Sequence, residues 1–467
     1  MSVLRLSANQ LLKKFRSKEL SPVEVLDALI AAFPDIDIKT NAFLDTDFDG
    51  AMIAAKTAEA QWAKGEPTGQ LCGVPVSVKD SIEVAGMKTT YGSVVYRENR
   101  QPDGLIAQRL RKSGAVIFGK TNLPEFALRS ETANRLRDSG RNPWNLDRTC
   151  GGSSGGSAIA VATGLGPISI GTDSGGSIRG PSAQNGIFGF KPSFQRIPTV
   201  QTWRAAVGRS HNGPMTRTLA DAVLMMNVIG GYDSRDPESL MPYAINSSID
   251  PVSVKNLKIG VVNSEVVFAE GNDVMEALRL SHDLLKNNGI AVKFVDEPPA
   301  YSPLRSTQDT WPYGGDHLAA SQAMLGDDFL DKHGSELTDY AYKVYSEAVT
   351  LSAVDYRRAQ IHDAKYRQKI ADWLVEKNID ILIMKCVPPA AIIDPLGRIS
   401  DRDSNNLAMY NISRLPVASI PVGFFKESKM PMGLQVVGRY GQDDQVLGTS
   451  EFFENEKMWN SDWPVLV

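Results

Sequence analysis

The sequence predicts an α/β protein, with a sheet covered by helices. Three observations carry this expectation. From about residue 71 onward, short apolar runs bounded by glycine alternate with helical stretches. The first 65 residues read as helix. Residues 140–190 are crowded with Gly and Ser, yet apolar strand-like runs interrupt them at regular points, which a flexible linker would not show.

Each element has its own signal. Ser7 with Gln10 and Ser21 with Glu24 have capping-box spacing, and Pro22 stands in a favourable first-turn position. Residues 50–64 are Ala-rich and favour helix. Buried strands are expected at 74–80 (VPVSVKD), 115–119 (AVIFG), 167–171 (PISIG) and 186–190 (GIFGF), with helices at 104–112 and 154–163. A second region starts near 257–262 (LKIGVV). It adds helices at about 272–287 and 354–377, strands at 379–384, 416–424 and 431–439, and a terminal helix. No linker and no fixed-period repeat appears. Residues 1–467 are therefore expected to form a single domain, with a core over about 65–240 and an elaboration over about 250–467.

Composition narrows the function. The net charge is −4 with no basic cluster, which argues against a nucleic-acid partner. No run of about 18 apolar residues is present, so no membrane partner is expected. The three cysteines, Cys72, Cys150 and Cys386, form no CxxC pair and no zinc pattern, and an odd count argues against a disulfide framework. The N-terminal MSVLRLSANQ lacks the apolar segment of a secretory signal. The expectation is a reduced, cytoplasmic protein.

Two familiar motifs fit by letter and fail by mechanism. GAVIFGKT (114–121) matches the phosphate-binding pattern GxxxxGK[ST], which would make Lys120 a phosphate ligand and Thr121 a magnesium ligand. A phosphate cradle needs a loop of inward N–H groups, whereas the interior here is strand sequence. A P-loop NTPase is therefore the remote alternative. GGSSG (151–155) matches the nucleophile elbow GxSxG, which would make Ser153 a nucleophile with a downstream histidine. Of the five histidines, none has a context that singles it out.

A third arrangement carries chemistry. GTDSGGSIRG (171–180) follows an apolar strand and precedes a possible helix start. Gly175 and Gly176 let backbone N–H groups turn toward a developing negative charge, and Ser177 ends the turn with a hydroxyl. A serine nucleophile needs a base. Lys79 ends the apolar run Val74-Pro-Val-Ser-Val-Lys79, where burial would lower its pKa and leave a neutral amine able to accept a proton. CGGSSGGSA (150–158) precedes a helix in the same manner, so Ser153 could return to the same place and relay a proton between Ser177 and Lys79.

Residues 151–193 (GGSSGGSAIAVATGLGPISIGTDSGGSIRGPSAQNGIFGFKPS) resemble the signature of the amidase signature family. Residues 71–93 resemble its lysine strand, 115–127 and 142–149 its connecting segments, and 213–231 and 416–424 its later elements. The match is weakest at about 240–380. The resemblance implies a large central mixed β-sheet covered by helices on both faces. It implies a Ser-cisSer-Lys triad in which Ser177 is the acylated nucleophile, Ser153 the bridging serine and Lys79 the general base. It further implies an oxyanion hole from the backbone N–H groups of Ser174, Gly175, Gly176 and Ser177. Asp173 and Arg179 would brace the site, and Ala127 would flank substrate. The implied reaction is hydrolysis of a small-molecule amide with no metal and no cofactor, in a chain that can form a homodimer.

Departures from the pattern are Cys150, where the family commonly has Pro, and Gln184-Asn185, where it commonly has Phe-Cys. Within the family the alternative is the A subunit of a tRNA-dependent amidotransferase. Its usual Tyr-Gly-Arg-Val-Ser-Arg stretch is here replaced by FQRIPTVQTWRAAVGRSHNGP (194–214). Trp203, Trp311 and Tyr313 are candidate apolar contributors to an acyl pocket for an aryl or bulky acyl amide.

Overall fold

The structure is a computed structural model, and it describes residues 3–200, 208–236, 238–239, 252–263, 271–302, 325–326, 328–350, 352–393, 405–459 and 462–465. The strands are β1 (Phe43–Thr46), β2 (Pro75–Lys79), β3 (Val116–Thr121), β4 (Arg141–Asn142), β5 (Asn145–Thr149), β6 (Ile168–Asp173), β7 (Phe188–Lys191), β8 (His211–Thr216), β9 (Lys258–Val262), β10 (Ala291–Val295), β11 (Ile381–Lys385), β12 (Val417–Phe424) and β13 (Pro431–Gly438). Eleven of them form one mixed sheet in the order β1-β3-β2-β6-β8-β7-β12-β13-β11-β9-β10, while β4 and β5 pair separately. The sheet is parallel through β3-β2-β6 and β11-β9-β10, and antiparallel across its middle.

Period-two burial explains why helices cover both faces. Ile381 and Ile383 pack with Ala418, Ile420, Leu434 and Val436 on one side, against helices Leu219–Ile229, Gly271–Asn287 and Asp443–Asn455. The intervening Leu382, Met384, Val417 and Val437 face the other side and meet helix Ala353–Glu376. Because both faces are covered, these strands are apolar at nearly every position, as their sequences show.

Local signals read from the sequence recur in the structure. Both capping boxes form: Gln10 N donates to Ser7 Oγ at 3.2 Å, and Ser21 N donates to Glu24 Oε2 at 2.7 Å. Several strands were not expected, among them β1, β8 and β10. The opening region is not all helix, because β1 inserts between helices and pairs with the edge of β3. Four residues, FLDT, are too short to show a period. The sequence of β8, HNGPMT, contains Gly and Pro, so it has no strand pattern. It is a strand because it pairs with β6 from Ile168↔Thr216 to Asp173↔His211. Strand β10 is a largely exposed edge strand with one buried residue, Val295, so apolar content is a weak guide there.

The P-loop reading is overturned. Val116–Thr121 is strand throughout. Lys120 is fully buried 3.3 Å from Asp80 and donates to Lys88 O and Thr89 Oγ1, and Thr121 Oγ1 lies 2.7 Å from Ser157 Oγ. Neither residue faces a space that could hold phosphate. Among the described residues no helix is long and apolar enough to cross a membrane.

Parallel pairing of β2 with β6, in register from Val76↔Ile168 to Val78↔Ile170, brings Lys79 and the end of β6 to one edge of the sheet. Ligand sites of open α/β sheets lie at such carboxyl ends. Helix Gly155–Thr163 runs back beneath this edge, and its second residue is pressed against neighbouring backbone. A Cβ on Gly156 would lie 2.4 Å from both Ala42 O and Asn122 N. Helix propensity favours Ala over Gly by ~1 kcal/mol, but overpacking costs ~1–3 kcal/mol. Gly156→Ala is therefore expected to lower stability in urea unfolding. An unchanged or raised midpoint would contradict this packing.

Candidate active site

Lys79 is the last residue of β2 and is fully buried. Its Nζ lies 2.7 Å from Ser153 Oγ, 3.0 Å from Ser154 Oγ and 2.7 Å from Thr172 Oγ1. Burial pushes the amine well below the ordinary lysine value, and the negative charge of Asp173 opposes that shift. Desolvation prevails because the surrounding groups are hydroxyls rather than carboxylates.

Ser153 follows a cis peptide bond from Gly152 and is 1% exposed. Ser154 stands at the start of helix Gly155–Thr163 but does not cap it. Its hydroxyl is taken by β6 instead, donating to Thr172 O at 3.1 Å and accepting from Thr172 N at 3.2 Å. Ser154 N in turn donates to Ser177 O at 3.2 Å, so the two Gly/Ser clusters meet. Ser177 is half-buried, and its hydroxyl makes no hydrogen bond among the described residues.

Asp173 organises the turn that carries Ser177. Its fully buried carboxylate accepts from the amides of Gly176 (2.8 Å) and Ile178 (3.1 Å), and from Arg179 Nε and Nη2, both at 3.0 Å. Asn411 Nδ2 donates to Asp173 Oδ1 at 2.7 Å. Burial works to raise this carboxyl, but the Arg179 guanidinium, with Lys191 and Asn411, holds it well below the usual carboxylate range. Arg179 is held from its far side by Gln435 Oε1 at 2.9 Å and Asn411 Oδ1 at 2.7 Å.

This arrangement modifies the expected set of inward amides. The Gly176 N–H donates to Asp173, so it braces the turn instead of facing an oxyanion. Gly176 holds φ +116°, and a Cβ there would lie 2.4 Å from Leu407 Cδ1. The amides of Gly175 and Ser177 make no hydrogen bond among the described residues, and Gly175 borders open space.

Ala127 is half-buried with φ +59°, at the end of the turn Glu125–Ala127. Glu125 fastens that turn by accepting from Ser93 Oγ at 2.7 Å and Thr338 Oγ1 at 2.7 Å. The chain just beyond it packs on the cis bond, since a Cβ on Gly152 would lie 2.9 Å from Glu131 N. Cys150 is buried, which disfavours it as a rival nucleophile. Asn185 Nδ2 donates to Cys150 O and to Pro181 O, each at 2.7 Å, so this departure ties helix Arg179–Asn185 to the segment entering the cis bond. Trp203, Trp311 and Tyr313 lie outside the described residues.

The elbow reading requires a histidine beside Ser153, and the amine of Lys79 occupies that place. His211 sits behind the brace, its Nδ1 3.2 Å from Asp173 O, and burial pushes its imidazole well below the ordinary value. Among the described residues no group of three His, Cys, Asp or Glu side chains could hold a metal ion.

The model of the Amidase family matches residues 24–447. The chain belongs to the amidase signature family. Amidase signature enzymes are amidohydrolases acting on carbon–nitrogen bonds, and this chain is one of them. It is 32% identical to the A subunit of the glutamyl-tRNA(Gln) amidotransferase from Roseiflexus sp. (strain RS-1), with 96% of each chain covered. A bacterial aryl acylamidase of the family superposes with TM-score 0.81 at 27% identity, covering 97% of this chain and 96% of the other. A peptide amidase from Stenotrophomonas maltophilia shares the fold with TM-score 0.85 at 23% identity, with 98% of each chain covered.

Four site residues escaped the sequence reading. Ser154 and Thr172 adjoin residues already singled out, and the pairing of β2 with β6 could have exposed them. Asn411 and Gln435 come from the far end of the chain, and nothing local marks them. Removing one partner of a buried ion pair typically costs ~3–5 kcal/mol. Arg179→Gln is therefore expected to lower unfolding stability by about that amount in urea titration, whereas a loss below ~1 kcal/mol would show that Asp173 finds other compensation.

Proposed function

We propose that this amidohydrolase cleaves a small carboxylic amide to acid plus amine or ammonia through an acyl-enzyme on Ser177. The observation that carries the reading is the dry contact of 2.7 Å between Lys79 Nζ and Ser153 Oγ. A neutral amine has two N–H groups and one lone pair. Ser154 Oγ already donates to Thr172 O, so it accepts from Lys79, as does Thr172 Oγ1. The lone pair is then left for the Ser153 O–H. Ser153, having lost its proton, takes one from Ser177, and Ser177 Oγ attacks the amide carbonyl.

The tetrahedral oxyanion is received by the backbone amides of Ser174, Gly175 and Ser177, where a key donor contributes about 3–4 kcal/mol in comparable sites. The proton then passes back through Ser153 to the leaving amine. Water hydrolyses the ester bond to Ser177, with Lys79 and Ser153 again taking the proton. No step requires a metal or an organic cofactor. Ala127 would border the bound acyl group. An aryl or bulky acyl amide is the favoured substrate class, supported by likeness to the aryl acylamidase. The proposed setting is the cytoplasm, as a monomer or homodimer, with no nucleic acid and no membrane.

The second reading is the A subunit of a tRNA-dependent amidotransferase, favoured by the naming of the curated relatives. The replacement of the usual post-signature stretch at residues 194–214 weighs against it. Ammonia release from glutamine only with partner subunits would favour this reading over hydrolysis of free amides.

Intact mass after incubation with a fluorophosphonate should show one adduct, absent in Ser177→Ala. An adduct that persists in the variant would move the nucleophile to Ser153. Lys79→Ala should lower kcat/KM by ~10²–10⁴, and a near-normal rate would remove its role as base. Because the base works in its neutral form, kcat/KM should fall as pH drops through the Lys79 pKa and the amine takes a proton. A rate flat down to the carboxylate range would contradict this.

A further inference from the structure

A half-open cavity of about 290 Å³ is lined, among the described residues, by four arginines, Arg209, Arg357, Arg367 and Arg414. Among the described lining residues the one carboxylate, Asp363, is already engaged: Oδ2 accepts from Arg209 Nη2 at 3.0 Å, and Oδ1 from Tyr301 OH at 2.6 Å. The other three guanidiniums have no carboxylate partner among the described residues. Arg414 Nε donates to Gly208 O at 3.3 Å, Arg367 Nη1 reaches Ile412 O at 3.5 Å, and Arg357 Nη1 donates to Gln360 Oε1 at 3.1 Å. Arg357, Gln360, Ala364 and Arg367 recur at helical spacing along Ala353–Glu376, so one face of this helix supplies much of the wall.

Like charges gathered around a half-open cavity repel one another unless an anion sits between them. The Arg414 guanidinium is pushed down by burial and then by the positive charge of Arg367, with the charges of Glu238 and Asp363 opposing the shift in part. Guanidinium forks match carboxylate and phosphate oxygens in pairs. The volume is near the lower end of small-molecule sites, ~300–1,000 Å³.

We propose that this cavity binds a small polyvalent anion bearing carboxylate or phosphate groups. Two of its wall residues adjoin, in sequence, residues that touch the candidate active site. Ser210, next to Arg209, has its Oγ 2.8 Å from Ser174 Oγ, and Asn411, next to Ile412, holds Asp173. Occupancy therefore fixes two segments that touch the Ser177 turn. The anion is either an acidic arm of the amide substrate or a separate ligand.

The first test is calorimetric titration of the intact protein with citrate and with inorganic phosphate, at ionic strength held constant with sodium chloride. Saturable binding is expected, weakened at least about tenfold in Arg367→Gln and in Arg414→Gln. Arg414 also lies over the Phe194 ring at 4.3 Å, so Arg367→Gln keeps the test sound if the other variant folds poorly. No heat at millimolar anion, or equal affinity in wild type and Arg367→Gln, overturns the proposal. This arm needs no activity, so it stands apart from the amidase reading.

Given binding, kinetics distinguish the two sources. If KM for a carboxylate-bearing amide rises about tenfold in Arg367→Gln while that for a neutral amide holds, the anion is part of the substrate. If citrate changes the KM of a neutral amide in wild type only, it is a separate ligand.

Discussion

The fully buried carboxylate of Asp173 is the constraint on which the rest of the site depends. It cannot be satisfied by water, so the chain after β6 must turn its amides inward and bring Arg179 back against it. That requirement shapes the turn and leaves Ser177 at its outer end. The same charge reaches Lys79, where it opposes desolvation without overcoming it. One anion thus positions the hydroxyl, while burial prevails over its charge at the amine. In the proposed mechanism the arrangement has the logic of a triad, with a base made by burial instead of by an imidazole.

The core of this design was legible in the sequence because it is local. Lys79 in an apolar run, and two Gly/Ser turns separated by one helix and one strand, can be read without knowing how distant segments meet. The strands of β2, β3, β6 and β7 were legible for the same reason, being apolar at successive positions. What escaped depends on pairing across the sheet. Strand β8 carries Gly and Pro and shows no period, and only its register with β6 makes it a strand. Asn411 and Gln435 are polar residues in apolar surroundings, a pattern with many explanations until Arg179 is seen beside them. The amide of Gly176 departs from expectation because a Gly-Gly turn reads as a row of free donors, while the demand of Asp173 for one of them has no local mark.

The two fully buried ion pairs near this edge of the sheet play different parts. Lys120 and Asp80 close the space beside β2, and their polar atoms also meet Thr89 and Thr90. They make a rigid wall in a place where the letters of the sequence match a nucleotide loop. Asp173 and Arg179 instead join the signature turn to residues from the last quarter of the chain. The candidate site is therefore a property of the whole sheet, although its proposed reactive groups all fall between Lys79 and Ser177.

Strand order has a consequence for synthesis. In the finished sheet β7 lies between β8 and β12. At the ribosome, β7 is made long before Val417–Phe424, and at ~5–20 residues per second the interval is on the order of ten seconds to a minute. During that time one side of β7 has no partner of its own, and Gln435 is not yet present to hold Arg179. A nascent chain at this stage carries the candidate nucleophile Ser177 on a turn whose support is incomplete. It also offers an open strand edge, the kind of surface that chaperones cover and that joins other chains when left bare. Assembly from both ends of the sequence thus delays the finished site until synthesis is nearly over.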